Sequence, residues 1–388
     1  MKRTALLLLV TMIALPASAA TIGSVFNPND FASNGTLTLV SGDTITFNTD
    51  TMSYSTTGSV VDSGTGSTAT SESGLAQLAM FNFDSIDIGS GVTITVTGNL
   101  GLSLGSKTSI SLGSTINVSG TAGQLRIAGD NGGPGAEGGL RGSSTPSSAP
   151  PSATAGNGGG YHTNGTGIGG GAEITNLGGG GASYGGDGGN NGSGVDSLIY
   201  GDAALTTLYG GSGGAGGGNT QSDWYIGTGG GGGGSLELTA LDTITLTGTA
   251  ELLADGGDGG ASTAGTNTTS RNKTRQGGGG SGGGILLNAP TIVLEASSLL
   301  SAQGAKGGRR NTAYNGAEGD DAGGGRIAIY ADTLTQNGTI DVTSNSYDGG
   351  SGVAGTSGTL YTAAYVPEPA TMSLLALGGI AMLRRRRK

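Results

Sequence analysis

Short apolar alternations that recur at fixed spacing constrain this chain more than any other feature. Ile86/Ile88 returns as Ile110/Leu112 after 24 residues, Val92/Ile94 as Ile116/Val118 after 24, and Leu100/Leu102 as Leu125/Ile127 after 25. Apolar residues two apart, with polar ones between, line one face of a strand. Three such strands per repeat is what one turn of a parallel β-solenoid requires, each turn stacking its inward side chains on the next. The C-terminal half repeats the scheme. Leu236-Glu237-Leu238, Ile285-Leu286-Leu287 and Ile327-Ala328-Ile329 each follow a glycine run and are followed by an alanine (Ala240, Ala289, Ala331). A second strand follows at Ile244, Ile292 or Leu334, and a third near Leu252, Leu299 or Ile340. Successive first strands lie 49 and then 42 residues apart, which leaves room for polar, Gly-rich excursions at 254–284 and 302–325. No long stretch has helical periodicity. The body is therefore predicted to be all-β: a right-handed parallel β-helix whose long Gly-rich loops leave from one corner.

Glycine makes the middle of the chain ambiguous. Of 85 glycines in 388 residues, 41 fall among the 106 residues of 129–234. So much glycine carries a large conformational entropy, which favours disorder. Against that, Tyr161, Tyr184, Tyr200, Tyr209, Trp224 and Tyr225 are spread through the segment and could pin compact glycine loops onto the strands. Both readings stand at this level. Residues 145–153, TPSSAPPSA, form a local Pro/Ser spacer.

Charge and cysteine content narrow the partners. Seven of the 17 basic residues (Lys2, Arg3 and the run from Arg384 to Lys388) and one of the 27 acidic residues, Glu368, sit in the chain ends. The part between them has a formal net charge of −16. That argues against nucleic acid or an anionic membrane as partner and favours divalent cations or a neutral glycan matrix. With no cysteine, the fold has no disulfide.

Few residue sets point to chemistry. Gly165-x-Gly167-x-x-Gly170 has the dinucleotide spacing without the strand–helix unit that gives it meaning. The Gly-Gly-Ser-Gly-Gly runs at 210–214 and 279–283 resemble a nucleophile elbow, but the single histidine, His162, precedes both serines. One histidine and no cysteine leave no zinc or iron site. Residues 191–199 nearly match a calcium-binding nonapeptide, with Asn191 for a glycine, and make Asp196 the candidate calcium ligand. Asp187, Asp255, Asp258, Asp320 and Asp321 read as turn aspartates. Parallel β-helices also carry polysaccharide lyases and glycoside hydrolases. The residues available for that are Glu237, Asp242, Glu251 and Glu295 with Arg126 and Arg326, whose spacing does not bring two carboxylates together. Thr93/Thr95/Thr97 and Thr243/Thr245/Thr247 could tile a flat face of the kind that binds ice, although β-branched residues suit any strand.

The two ends are processing segments. Lys2 and Arg3, the apolar run from Ala5 to Leu15 and Ala17-Ser18-Ala19 make a secretory signal, cut before Ala20. At the other end Pro367-Glu368-Pro369 is followed by fourteen uncharged residues, 370–383, and then by Arg384, Arg385, Arg386, Arg387 and Lys388. As a helix that run rises roughly 21 Å, short of the roughly 20 residues that span a hydrocarbon core. Five terminal cations keep their end in the cytoplasm.

This tail resembles the PEP-CTERM sorting signal of Gram-negative bacteria: Pro-Glu-Pro, short apolar helix and arginine cluster in that order. The resemblance implies cleavage near the motif by an exosortase. It also implies transient anchoring in the inner membrane, then delivery to the cell surface or extracellular matrix. The expected division is 1–19 signal peptide, 20–128 N-terminal solenoid turns, 129–234 Gly-rich insert, 235–365 C-terminal repeats and 366–388 sorting signal. The expected function is a structural or adhesive surface protein without catalysis or cofactor, meeting extracellular polysaccharide or neighbouring surface proteins. A secreted polysaccharide-degrading enzyme is the alternative.

Overall fold

A computed structural model describes residues 26–70, 77–127, 158, 163–173, 177–190, 198–218, 225–261, 275–309, 317–346 and 352–365. The expected signal peptide 1–19 and the sorting tail 366–388, with its expected membrane helix, lie outside them. Among the described residues the protein is all-β, with one 3-10 turn at Pro28–Asp30, and no helix is long and apolar enough to cross a membrane.

The chain opens with β1 (Thr36–Leu39) and β2 (Thr44–Asn48), then makes an antiparallel excursion through β3 (Ser53–Thr57), β4 (Ser63–Thr65) and β5 (Ser67–Thr70). Two three-strand passes follow. The first is β6 (Gln77–Phe83), β7 (Ser85–Ile88) and β8 (Thr93–Thr97); the second is β9 (Gly101–Ser106), β10 (Ser109–Leu112) and β11 (Ile116–Asn117). β12 (Leu125–Ile127) and β13 (Tyr225–Gly227) form a small antiparallel pair of their own. Two more passes follow, β14 (Ser235–Ala240), β15 (Thr243–Leu246), β16 (Glu251–Leu253) and β17 (Gly284–Asn288), β18 (Thr291–Leu294), β19 (Leu299–Ser301). The last is β20 (Arg326–Tyr330), β21 (Thr333–Gln336) and β22 (Thr339–Asp341), after which β23 (Thr359–Ala363) adds a single strand.

Each pass contributes its first strand to one sheet, its second to another and its third to a third position. The first sheet runs β23-β20-β17-β14-β9-β6-β5, the second β1-β7-β10-β15-β18-β21, and the third is split into β4-β3-β2-β8 and β11-β16-β19-β22. Pairing between successive passes is parallel. Inward positions therefore stack as rows of like residues. Leu37, Ile86, Ile110, Ile244 and Ile292 form one row, and Leu252 and Leu300 belong to another; all are at most 2% exposed. Similar isoleucine and leucine side chains in register pack into one buried cluster between the sheets, and close packing of this kind is what a narrow core needs.

Three sequence alignments need correction. Leu102 pairs with Leu236 and Ala79, not with Leu125, which joins the antiparallel pair. Val92/Ile94 and Ile116/Val118 do not share a ladder either: β8 pairs with β2, and β11 with β16. The partner of Leu252 is Leu300 rather than Leu299, a one-residue slip that reverses the inward face.

The Gly-rich excursions all connect a third strand to the next first strand, and their described parts are packed and buried. Segment 276–284 sits at their centre. Its N–H groups at Gly277, Gly280 and Gly283 donate to the carbonyls of Gly260, Gly257 and Ala254. Those of Gln276, Gly279 and Gly282 donate to Ala317, Asp320 and Gly323. Gly278 and Ser281 donate to Ala215 and Ser212. Carbonyls of the same segment accept from Gly230 and Gly233, from Gly179 and Ala182, and from Gly308 and Ala305, while Gly227 donates to the adjoining Arg275 carbonyl. A partner that returns every third residue means an extended helix of three residues per turn, which has no internal hydrogen bonds and must satisfy its backbone sideways. Six such segments surround the central one, so the ordered reading of the glycine-rich region holds wherever it is described. The glycines are needed for closeness: a Cβ on Gly280 would lie 2.0 Å from the Gly231 oxygen, and one on Gly283 1.9 Å from the Gly234 oxygen.

Candidate functional site

The outward face of the six-stranded sheet carries two rows of residues in register. Apolar residues of β1, β7, β10, β15 and β18 point into the core, so the residues between them point out. In register they make two rows across the sheet. One is Thr36, Ser85, Ser109, Thr243, Thr291 and Thr333; the other is Thr38, Asp87, Ser111, Thr245, Val293 and Thr335. All but Asp87 and Val293 carry a hydroxyl, and all are exposed or half-exposed. Strand geometry spaces neighbours within a row by about 4.8 Å and the two rows by about 6.6 Å. Among the described residues, Ser85 Oγ to Thr36 Oγ1 at 3.4 Å is the one hydrogen bond that a side chain of these rows makes. The face is periodic and, with Asp87 as the one charge in its two rows, almost uncharged on an acidic chain.

This ladder joins strands from both halves of the sequence across the glycine-rich insert. Its signal is the hydroxyl-x-hydroxyl pattern of Thr36/Thr38, Ser109/Ser111, Thr243/Thr245 and Thr333/Thr335. Sequence reasoning singled out one of these sets and paired it with Thr93/Thr95/Thr97, which the structure places on a different sheet. Thr247 lies beyond the strand end and bonds the Leu112 carbonyl at 3.3 Å.

The carboxylates fasten neighbouring segments. Asp255 Oδ1 accepts from Ser301 Oγ at 2.5 Å and from the Gln303 N–H at 2.7 Å. Asp258 accepts the Lys306 N–H at 3.0 Å, Asp321 the Gly307 N–H at 2.9 Å and Asp320 the Val353 N–H at 2.8 Å. Asp187 accepts from Ser183 Oγ at 3.0 Å. On the strand side Glu251 accepts from Thr115 Oγ1 at 3.3 Å, and Glu295 takes the Gly248 N–H at 3.0 Å. Asp242 stands exposed at the bend between β14 and β15. Folding brings Glu251, Asp255 and Asp341 near one another. Burial raises the Asp255 carboxyl above its usual range, and its two acidic neighbours raise it further, against the hydrogen bonds from Ser301 and Gln303. Burial likewise raises Asp321. Among the described residues, no group of three or more His, Asp and Glu is placed to hold a metal ion.

Glu237 and Arg326 occupy the other side of the first sheet, under covering segments. Glu237 is fully buried; its Oε1 accepts the Phe26 N–H at 3.1 Å and its Oε2 lies 2.5 Å from Ser103 Oγ. Burial pushes its carboxyl up to about 8, so it carries a proton at neutral pH. Arg326 sits 5.4 Å from the centre of the Tyr184 ring and donates to the Tyr200 carbonyl at 2.9 Å and to Thr359 Oγ1 at 3.0 Å. Tyr184, Tyr200 and Tyr209 pack with Leu286, Ala328 and Tyr330, which pins the glycine region to this sheet as the aromatic spacing suggested. Tyr161, Trp224, His162 and the calcium candidate Asp196 lie outside the described residues, as do the side chains of Tyr225 and Arg126.

The sorting residues Pro367, Glu368 and Pro369 and the cations Arg384, Arg385, Arg386, Arg387 and Lys388 also lie outside the described residues. They fall within residues 366–388, which match the family model of the PEP-CTERM protein-sorting motif. That match makes the chain an exported protein sorted by an exosortase. No curated protein and no solved structure matches the chain.

Proposed function

We propose that this bearer of a PEP-CTERM sorting motif is a non-catalytic structural and adhesive protein of the cell surface or extracellular matrix. Its body is a right-handed parallel β-helix, a reading supported by two sheets that gain one parallel strand per pass, by a third position that does so from β11 onward, and by the right-handed preference of parallel crossovers. The tail holds the precursor in the inner membrane until the exosortase acts at Pro367-Glu368-Pro369.

The partner is an uncharged polysaccharide, and the hydroxyl ladder of the six-stranded sheet carries that reading. Ser and Thr hydroxyls both donate and accept, as sugar hydroxyls do. A periodic face admits an extended chain, and its near-neutrality suits a glycan without carboxylates. Asp255, Asp258, Asp320, Asp321, Glu251 and Glu295 are taken up in fastening neighbouring segments, which favours binding over turnover. Sedimentation of the full chain, in detergent, with a particulate uncharged β-glucan tests this. The Ser111→Lys/Thr245→Lys double variant is expected to bind at least tenfold more weakly with an unchanged far-UV spectrum. Equal binding by both proteins, no binding by the parent, or shortening of the glucan would each overturn the reading.

A further inference from the structure

The two ends of the stack are built differently, and we propose that the C-terminal end is a docking surface for a second copy of this chain, joined end to end about a two-fold axis.

At the N-terminal end, β3 and β5 lie antiparallel outside β2 and β6, and β4 lies outside β3. Tyr54 packs its ring 5.3 Å from Phe83 and 6.1 Å from Phe47, closing the core. At the other end β21, β22 and β23 are the outermost strands of their sheets. Among the described residues nothing pairs with their outer edges. One inward apolar side chain per sheet is left partly uncovered there: Leu334, Ile340 and, at 45% exposure, Leu360. Their counterparts one pass earlier, Ile292, Leu300 and Ile327, are at 0%.

Unpaired strand edges are blunted by charged side chains (lysine above all), proline, a bulge, shortness or a covering segment. These three strands contain no lysine, no proline and a single charge, Asp341, whose Oδ1 is held by Thr343 at 2.7 Å. The surface is thus an edge able to pair, backed by apolar side chains, with little charge to oppose a like copy. Head-to-tail growth is disfavoured because antiparallel strands close two of the three sheets at the opposite end, leaving β1 as the single parallel edge there. Two C-terminal ends match all three open edges, whereas a head-to-tail contact would match one, which favours a closed isologous pair with edge strands antiparallel across the axis. The sorting motif begins at Val366, three residues after β23, so both motifs of the pair leave from the joint.

The chain has no cysteine, so single-cysteine variants of the full chain report the joint directly. Leu360→Cys or Gln336→Cys, treated in membranes with a short bis-maleimide, is expected to give a species of twice the mass. Ser63→Cys, exposed at the N-terminal end, should give at least tenfold less. Adding Thr362→Lys to either C-terminal variant should lower the cross-linked fraction at least tenfold through like-charge opposition. Monomer alone from both C-terminal variants, equal cross-linking at Ser63→Cys, or an adduct of another mass would overturn the pairing.

Discussion

Glu237 shows how one residue can stand at a catalytic-looking position and do structural work. It occupies the outward side of β14, where a sheet would normally meet water, but Phe26 and Ser103 enclose it. Burial favours a neutral carboxyl here, against the hydrogen bonds that Oε1 accepts from the Phe26 N–H and Oε2 from Ser103 Oγ. The proton is held up to about pH 8 in the fold and lost near 4.5 in the unfolded chain. Between those values the unfolded state has released a proton that the folded state keeps, so stability falls as pH rises through that window. Below about 4.5 both states are protonated and the site is neutral in its effect. Glu237→Gln reproduces the neutral form without the proton. It is expected to stabilise by roughly 2–3 kcal/mol at pH 7 and by little at pH 4. Denaturant midpoints at the two pH values check this; an equal effect at both would refute the buried, protonated carboxyl.

The glycine segments are elements in their own right, and their requirement is steric. In the sequence they read equally as loose linker, because glycine content alone does not distinguish a flexible backbone from one packed too closely for side chains. The structure separates these by hydrogen bonding: segment 276–284 meets the same neighbours every third residue. Gly280→Ala would put a Cβ 2.0 Å from the Gly231 oxygen and force two segments apart, with a loss of about 3 kcal/mol or more. Gly248→Ala is the control. Gly248 has φ +55° and nothing within 4 Å of its Cβ position, so it should lose about 1 kcal/mol, the left-handed cost alone. Thermal or denaturant unfolding compares the pair; similar losses would mean that the glycine packing is loose. Strand elements were easier to read, since period-two alternation survives any context. Their partners were not: Leu102 meets Leu236 across the whole insert.

For the whole molecule, the sorting tail and the stacked body make separable contributions. Deleting residues 366–388 is expected to leave the melting temperature of the body unchanged while moving the protein from the membrane fraction to the soluble exported fraction. Fractionation and thermal denaturation check this; retention in the membrane without the tail would remove the anchoring role. Destination was readable from sequence alone because a sorting signal is recognised as a short linear pattern of proline, apolar and basic residues. The all-β character and the strand positions were also readable, because alternation is local. Which strands touch, whether the glycines form a packed lattice, and the continuous hydroxyl face were decided only in three dimensions. Each depends on residues far apart in the chain arriving in one register, and register is set by the stacking of turns rather than by any stretch of sequence.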